Sequence, residues 1–312
     1  MAVNPYFGPG EVRQWEDVTR ELANSLIDEF AASGRCEFVA DFSGPFPASL
    51  ISRQILHFPE ESIPELRHNI NIGVFGIENP DGSRAFDPAG FVGVLENARA
   101  FLERRRNEPP VDDIIGALLG VEIEDGEPVT MDERAHILYT LIFAGLDTTT
   151  STLAAAMHFM AGEPEVYERL RDDRSLLPAA VEEFIRLFHP VTCVGRFASR
   201  DSQIEGVDVK QGDQIALFLA GANVDPEEFG NGEFDLDRES NRHLSFGFGP
   251  HRCLGSHLAR MSIRVALDVL LDRLPNFQVD DSEPMESATN QRRQILRLPL
   301  KFDPERAVLL NG

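Results

Sequence analysis

The sequence predicts one mainly α-helical domain, residues 1–312, with a small β-sheet component in its second half. Three observations carry that expectation. Apolar residues recur at helical spacing through the first part of the chain, and strand-like runs appear only after Pro190. Between them, Ile137 to Ala161 is nearly free of charge and apolar on all sides, as a helix surrounded by protein must be. The 42% hydrophobic content suffices for a large core, and neither repeats nor a linker divide the chain.

The elements follow in order. Val12, Trp15, Leu22, Leu26 and Phe30 share a helix face between Pro9 and Gly34, where glycine provides the stop. Shorter apolar segments cover Ala48–Leu56 and Ile63–Val74. Asp87-Pro88 opens a helix through Phe91, Leu95, Ala98 and Leu102, with Asp as cap and Pro at the first helical position. The acidic run Glu122 to Glu127 reads as a loop. Thr130 and Glu133 form a capping box that starts the longest helix, expected to reach Ala161 and to measure roughly 46 Å at 1.5 Å per residue. A further helix spans Leu177 to Phe188 and closes at His189-Pro190. Strands are expected at Arg196–Arg200, at Ile204–Val209 around a Gly206 turn, and at Gln214–Leu219. A glycine-rich loop from Phe246 to Gly255 leads into a helix ending near Leu274, and Gln294–Phe302 reads as a final strand.

Charge and cysteine usage bound the partners. With 52 acidic and 29 basic residues the net charge is −23, which argues against nucleic acid or an anionic membrane. Cys36, Cys193 and Cys253 are too few and scattered for a disulfide framework, and no pair has metal-site spacing. The N-terminal stretch lacks the pattern of a signal peptide, and a reducing cytoplasm is the expected location. Ile137 to Ala161 is long enough to span a bilayer, but Asp147, His158 and the run Thr148 to Thr152 make it a poor lipid-facing helix.

The chemistry concentrates in Phe246-Gly247-Phe248-Gly249-Pro250-His251-Arg252-Cys253-Leu254-Gly255. Glycines let backbone approach a ligand closely, and a cysteine at the mouth of a helix meets free N–H groups that stabilise a thiolate. A lone cysteine is otherwise more often a small buried hydrophobe. Upstream, Ala144-Gly145-Leu146-Asp147-Thr148-Thr149 places a glycine and a polar β-branched cluster inside an apolar helix, a locally poor choice of the kind functional sites make. The bland account is a glycine that permits close packing and threonines that bond back to the preceding turn.

The loop resembles the haem-ligand signature of the cytochrome P450 family, F-G-x-G-x-H-x-C-x-G, at every fixed position, and Leu258-Ala259-Arg260 follows it. A chance match is on the order of 10⁻⁶ from residue frequencies. The resemblance implies the P450 fold, haem b as cofactor, and Cys253 sulfur as the metal ligand, which pushes electron density toward dioxygen. It implies that His251 and Arg196 reach haem propionates and that Phe246 packs near the sulfur. Gly247, Leu254 and Gly255 complete the cofactor loop, and Ala144 and Gly145 leave a groove over the ring. Asp147 and Thr148 fall on the acid and alcohol that deliver protons, and Glu183 and Arg186 on the structural ion pair. Thr140, Phe143, Thr192 and Val194 fall where the family lines its pocket. Other copies of the E-x-x-R spacing, at Glu96/Arg99, Glu103/Arg106, Glu168/Arg171 and Glu239/Arg242, are set aside by their position in the chain.

Val209-Lys210-Gln211-Gly212-Asp213-Gln214-Ile215 and the cysteine loop resemble the camphor-hydroxylase-like bacterial branch, which implies a soluble monooxygenase acting on a small apolar substrate with a ferredoxin-type electron donor and its reductase. The segment Val3 to Phe7 resembles the exit from the family's third major helix, so the resemblance implies a fold lacking its N-terminal portion. Asn223-Val224-Asp225-Pro226 carries Val where the family usually has Arg. Shortening leads to two further expectations: self-association through an exposed core, and, as the alternative to an enzyme, a non-catalytic haem-binding remnant or apo helical domain.

Overall fold

A computed structural model describes residues 3–78, 84–85, 87–121, 129–289 and 293–304. The principal helices are α1 (Glu16–Asp28), α2 (Ile63–Phe75), α3 (Ala89–Arg106), α4 (Met131–Gly162), α5 (Leu177–Phe188) and α6 (Ser256–Arg273). The principal strands are β1 (Arg35–Glu37), β2 (Val194–Phe197), β3 (Ser202–Ile204), β4 (Val207–Val209), β5 (Gln214–Leu217), β6 (Gln278–Val279), β7 (Glu286–Thr289), β8 (Arg293–Arg297) and β9 (Pro299–Lys301). The mainly helical expectation holds.

Helix α4 organises the molecule. Its capping box forms as expected: Thr130 Oγ1 accepts from the Glu133 N–H, and the Glu133 carboxylate accepts from the Thr130 N–H at 2.8 Å. Its first half (Ala135, Leu138, Ile142, Leu146) lies in one apolar core with α2 and α3. Its second half (Leu153, Ala154, Ala156, Met157, Met160) lies in another with α1, α5 and α6. The helix therefore changes cores along its length, and Asp147 to Thr152 occupy the changeover. No helix among the described residues is long and apolar enough to cross a membrane.

The structure corrects several sequence expectations. The helix read from Pro9 to Gly34 is two, Pro9–Arg13 and α1, separated at Gln14-Trp15; a short 3₁₀ turn then ends at Gly34, in the left-handed region at φ 71°. Strands are not confined to the second half: β1 pairs antiparallel with β9, which pairs with β6, tying the early chain to its end. The single strand expected at Gln294–Phe302 is two, because β8 pairs with β7 and β9 joins the other sheet. The short helices Ile114–Leu119 and Pro164–Asp172 and the ribbon Ile77–Glu78/Arg84–Ala85 carried too few apolar repeats to be read. Asp87 accepts the Ala89 N–H at 2.8 Å, but α3 starts at Ala89 with Pro88 in the cap position, so the expected cap and first helical residue each lie one place too early. The acidic run Glu122 to Glu127 lies outside the described residues.

Two small ribbons complete the site's surroundings. Strand β2 pairs with β5, with Arg196 opposite Ile215. Strands β3 and β4 are joined through Glu205 and Gly206, both at positive φ, the backbone of a type I′ hairpin turn.

Candidate active site

A cavity of about 760 Å³ lies between α4, the cysteine loop and the β2–β5 ribbon. That volume is typical of sites enclosing a cofactor or drug-sized ligand, roughly 300–1,000 Å³. Into it the fold brings Thr140, Phe143, Ala144, Asp147 and Thr148 from α4, Val194 and Arg196 from β2, and Phe246, Gly247, His251 and Cys253 from the loop. Thr192, Gly145, Leu254 and Gly255 do not line it. Thr192 is buried at the approach to β2. Gly145 faces the other way: a Cβ there would come within 2.3 Å of the Ile51 side chain, so its smallness serves helix packing.

The loop conformation depends on two glycines. Gly247 and Gly249 both sit at φ 67°, which other residues rarely adopt. Their turns bring the Cys253 N–H within 2.7 Å of the Phe246 carbonyl and fold Gly249–His251 into one 3₁₀ turn. Cys253 is exposed toward the cavity. Protein packed around the loop nonetheless raises its thiol pKa above the ordinary value, opposed by the Gly255 N–H and by the positive charges of Arg260 and Arg252. Helix α6 begins three residues later, at Ser256, so one N–H rather than a whole helix mouth faces the sulfur. Coordination to a metal would deprotonate such a thiol outright.

On α4, the Thr148 hydroxyl donates to the Ala144 carbonyl at 2.8 Å, and Thr140 and Thr152 bond back one turn in the same way. The bland reading of the threonines is therefore met as well, and it coexists with Thr148 facing the cavity. Asp147 is 4% exposed, and its Oδ1 accepts from the side-chain amide of Gln294 on β8. Phe143 packs at a tilt against Tyr139 and Phe91, centroids 4.8 and 5.0 Å apart, forming an aromatic end wall. Arg196 donates to its neighbour's carbonyl, Gly195 O, at 2.8 Å, and no carboxylate pairs with it among the described residues.

Behind the site, Glu183 and Arg186 form a doubly bonded pair, both contacts 2.7 Å and both residues 0% exposed. Arg186 also donates to the carbonyls of Asn223, Gly232 and Glu233, and stacks on Phe229. Glu183 accepts from the Asp235 N–H, Arg238 and Asn241. Burial alone would raise the Glu183 pKa, but these donors hold it below the ordinary carboxylate value. The residues of three other E-x-x-R copies pair elsewhere: Arg99 with Asp132, Arg171 with Asp172, and Arg242 with Glu228.

Sequence reasoning missed a second cluster. Glu182, beside the structural pair, accepts from Arg260 at 2.5 and 2.8 Å and contacts His243 Nε2 at 3.0 Å. The Arg260 guanidinium lies 4.5 Å from the centroid of Phe246, so this cluster supports the cysteine loop from below. Arg260 was visible in the sequence after the loop, but nothing in it marked Glu182 or His243 as partners.

One cavity thus takes Cys253 from a glycine-turned loop and Asp147 and Thr148 from α4, with a buried ion pair behind it. The chain belongs to the cytochrome P450 family, whose sequence profile matches residues 93–306. It is 32% identical over 305 residues to cytochrome P450 CYP107DY1 of Priestia megaterium, covering 95% of this chain and 72% of that one. It is 30% identical over 311 residues to the steroid C26-monooxygenase of Mycolicibacterium smegmatis, covering 98% and 77%. Among solved structures it superposes on HmtN, a post-tailoring hydroxylase involved in himastatin biosynthesis, with TM-score 0.87 and 29% identity over 97% of this chain and 78% of that one. P450BioI, solved with an acyl-carrier-protein ligated to hexadec-9Z-enoic acid, superposes with TM-score 0.84 over the same shares.

The residues present fit a haem. The sulfur opens into a cavity of suitable size, small Ala144 faces that cavity from α4, and Arg196 on its wall is a cation without a carboxylate partner among the described residues.

Proposed function

We propose that this chain is a haem-dependent monooxygenase that inserts one oxygen atom of dioxygen into a small apolar molecule. Cys253 would hold the iron, Arg196 and His251 the propionates, and Phe246 with Gly247 the ring's edge beside the sulfur. When bound, the haem supplies the centre at which dioxygen is reduced and cleaved. The observation that carries the reading is the placement of Cys253 and of Asp147-Thr148 on one cavity, from segments more than 100 residues apart.

The chain's own residues do the rest. Cys253 supplies a soft anionic donor, and its N–H bond to Phe246 O fixes the loop from which the sulfur projects. Phe91, Tyr139 and Phe143 form an apolar wall suited to a hydrocarbon substrate. Thr192 and Gly145 shape the pocket from outside its surface, through β2 and through the fit of α4 against Ile51. Thr148 Oγ1 and the Asp147 carboxylate are the groups able to hold and pass a proton. Arg196, paired with no carboxylate among the described residues, favours an anionic group on its side of the cavity. Electrons would come from a ferredoxin-type donor with its reductase, in the cytoplasm.

Thr148→Ala tests the reading. The variant should keep haem and oxygen consumption while product per electron falls by roughly tenfold or more, with peroxide in its place, since a positioned acid is typically worth 10²–10⁴. Unchanged coupling would remove Thr148 from the mechanism.

A further inference from the structure

A second cavity lies apart from the one that holds Cys253. It measures about 880 Å³ and lies on the other side of α4, lined by Ser151, Ala155, His158, Phe159 and the β8 residues Arg293 to Ile295, among others. Ser151, Ala155 and His158 follow Asp147 at four, eight and eleven residues, so one stripe of α4 runs from the first cavity to the second. Gln294 spans the same boundary: it lines the rear cavity and donates its amide to Asp147 Oδ1, while Asp147 lines the front one.

We propose that the rear cavity is the inlet through which protons reach Asp147, and that Gln294 is the positioning residue that holds the carboxyl between the two spaces. This rests on the monooxygenase reading. That reaction, RH + O₂ + 2e⁻ + 2H⁺ → ROH + H₂O, consumes two protons per turnover, and the front cavity is walled mostly by apolar and aromatic groups. The rear cavity is more polar, with Ser151, His158, Glu163, Glu168, Asp281 and Arg293 on its walls, and can carry ordered water. An amide bond on one carboxyl oxygen restrains the rotation of the Asp147 side chain at the boundary between the two cavities. A carboxyl held at 4% exposure between a wet and a dry space can take a proton from one side and release it to the other.

The experiment uses the haem-loaded chain with a surrogate ferredoxin system, under air and without substrate, in H₂O and D₂O. Two variants perturb the inlet without altering the cysteine loop: Gln294→Leu removes the amide, and Ala155→Leu narrows the rear cavity two turns from Asp147. Both should retain the carbon monoxide difference spectrum of the parent. Both should raise the ratio of peroxide to water formed by about tenfold and enlarge the solvent isotope effect on oxygen consumption. A purely structural Gln294 would not make Ala155→Leu behave alike. Independently of haem, the infrared carboxyl band lost in apo Asp147→Asn should shift in apo Gln294→Leu. A parent without a thiolate-type spectrum would defeat the monooxygenase reading and leave the infrared arm standing. An unshifted band, or parental peroxide ratio and isotope effect in Ala155→Leu, would overturn the inlet.

Discussion

Two regions flanking the cavity contrast sharply. Behind it, the Glu183–Arg186 network is fully enclosed, and every hydrogen-bonding group of that carboxylate and guanidinium finds a partner within the chain. In front, the β2–β5 ribbon and the cysteine loop are open: Phe248 is 86% exposed, Phe197 72% and Phe218 64%. Among the described residues, neither β2 nor β5 has a second strand partner. The comparison separates folding from function. The rear network is a self-sufficient part of the core, whereas the front wall is apolar surface whose cover is not supplied by the described chain.

The largest stability effect should come from breaking the enclosed region. Arg186→Leu leaves the Glu183 charge buried without its principal partner, and unfolding in urea should show a loss of about 3–5 kcal/mol. A loss under 1 kcal/mol would mean the network is more open than it is drawn. The neighbouring Glu182 cluster should matter less, and in a pH-dependent way. Burial raises the Glu182 pKa, but His243 and Arg260 overcome it and bring the carboxyl from 4.5 down to about 2. A depressed pKa stabilises the fold above the unfolded value and loses that contribution as pH falls from about 4.5 through about 2. At about 1.4 kcal/mol per unit the group contributes up to about 3 kcal/mol near neutrality. Glu182→Gln should therefore flatten acid unfolding over that window, and an unchanged acid limb would remove the cluster from the account. The smallest effect belongs to the front. Phe218→Ser together with Phe248→Ser should change stability by less than about 0.5 kcal/mol, as exposed positions do. The same pair should reduce self-association in sedimentation, because large bare apolar patches rarely stay uncovered. Parental sedimentation would show that this face does not drive association.

The same contrast explains what the sequence made legible. Helices α4, α5 and α6 were readable because caps, terminators and long apolar stripes are local signals. The cysteine loop was readable because each of its turns demands a particular residue, as Gly247 and Gly249 show at φ 67°. Strand β1 was not, because three residues gain strand character only from β9, more than 250 positions away. The division of Gln294–Phe302 between two sheets is likewise a tertiary choice. Gln294 itself gave no signal: an amide on a short strand is ordinary until folding sets it against Asp147. Nor could spacing reveal that Gly145 packs on Ile51 instead of opening the cavity.

The central claim is that Cys253 is the thiolate ligand of a haem, and one measurement reaches it most directly. The chain would be loaded with haem, reduced, exposed to carbon monoxide, and its difference spectrum compared with Cys253→Ser, Cys36→Ser and Cys193→Ser. Cys36 is buried, and desolvation first, with Asp41 and Glu37 beside it, pushes its thiol well above the ordinary range, so it is no candidate donor. Cys193 does not line the cavity. The account predicts a thiolate-type Soret band in the parent and in both control variants, and its complete loss in Cys253→Ser. A thiolate band that survives Cys253→Ser, or that disappears with Cys36 or Cys193 instead, would contradict it.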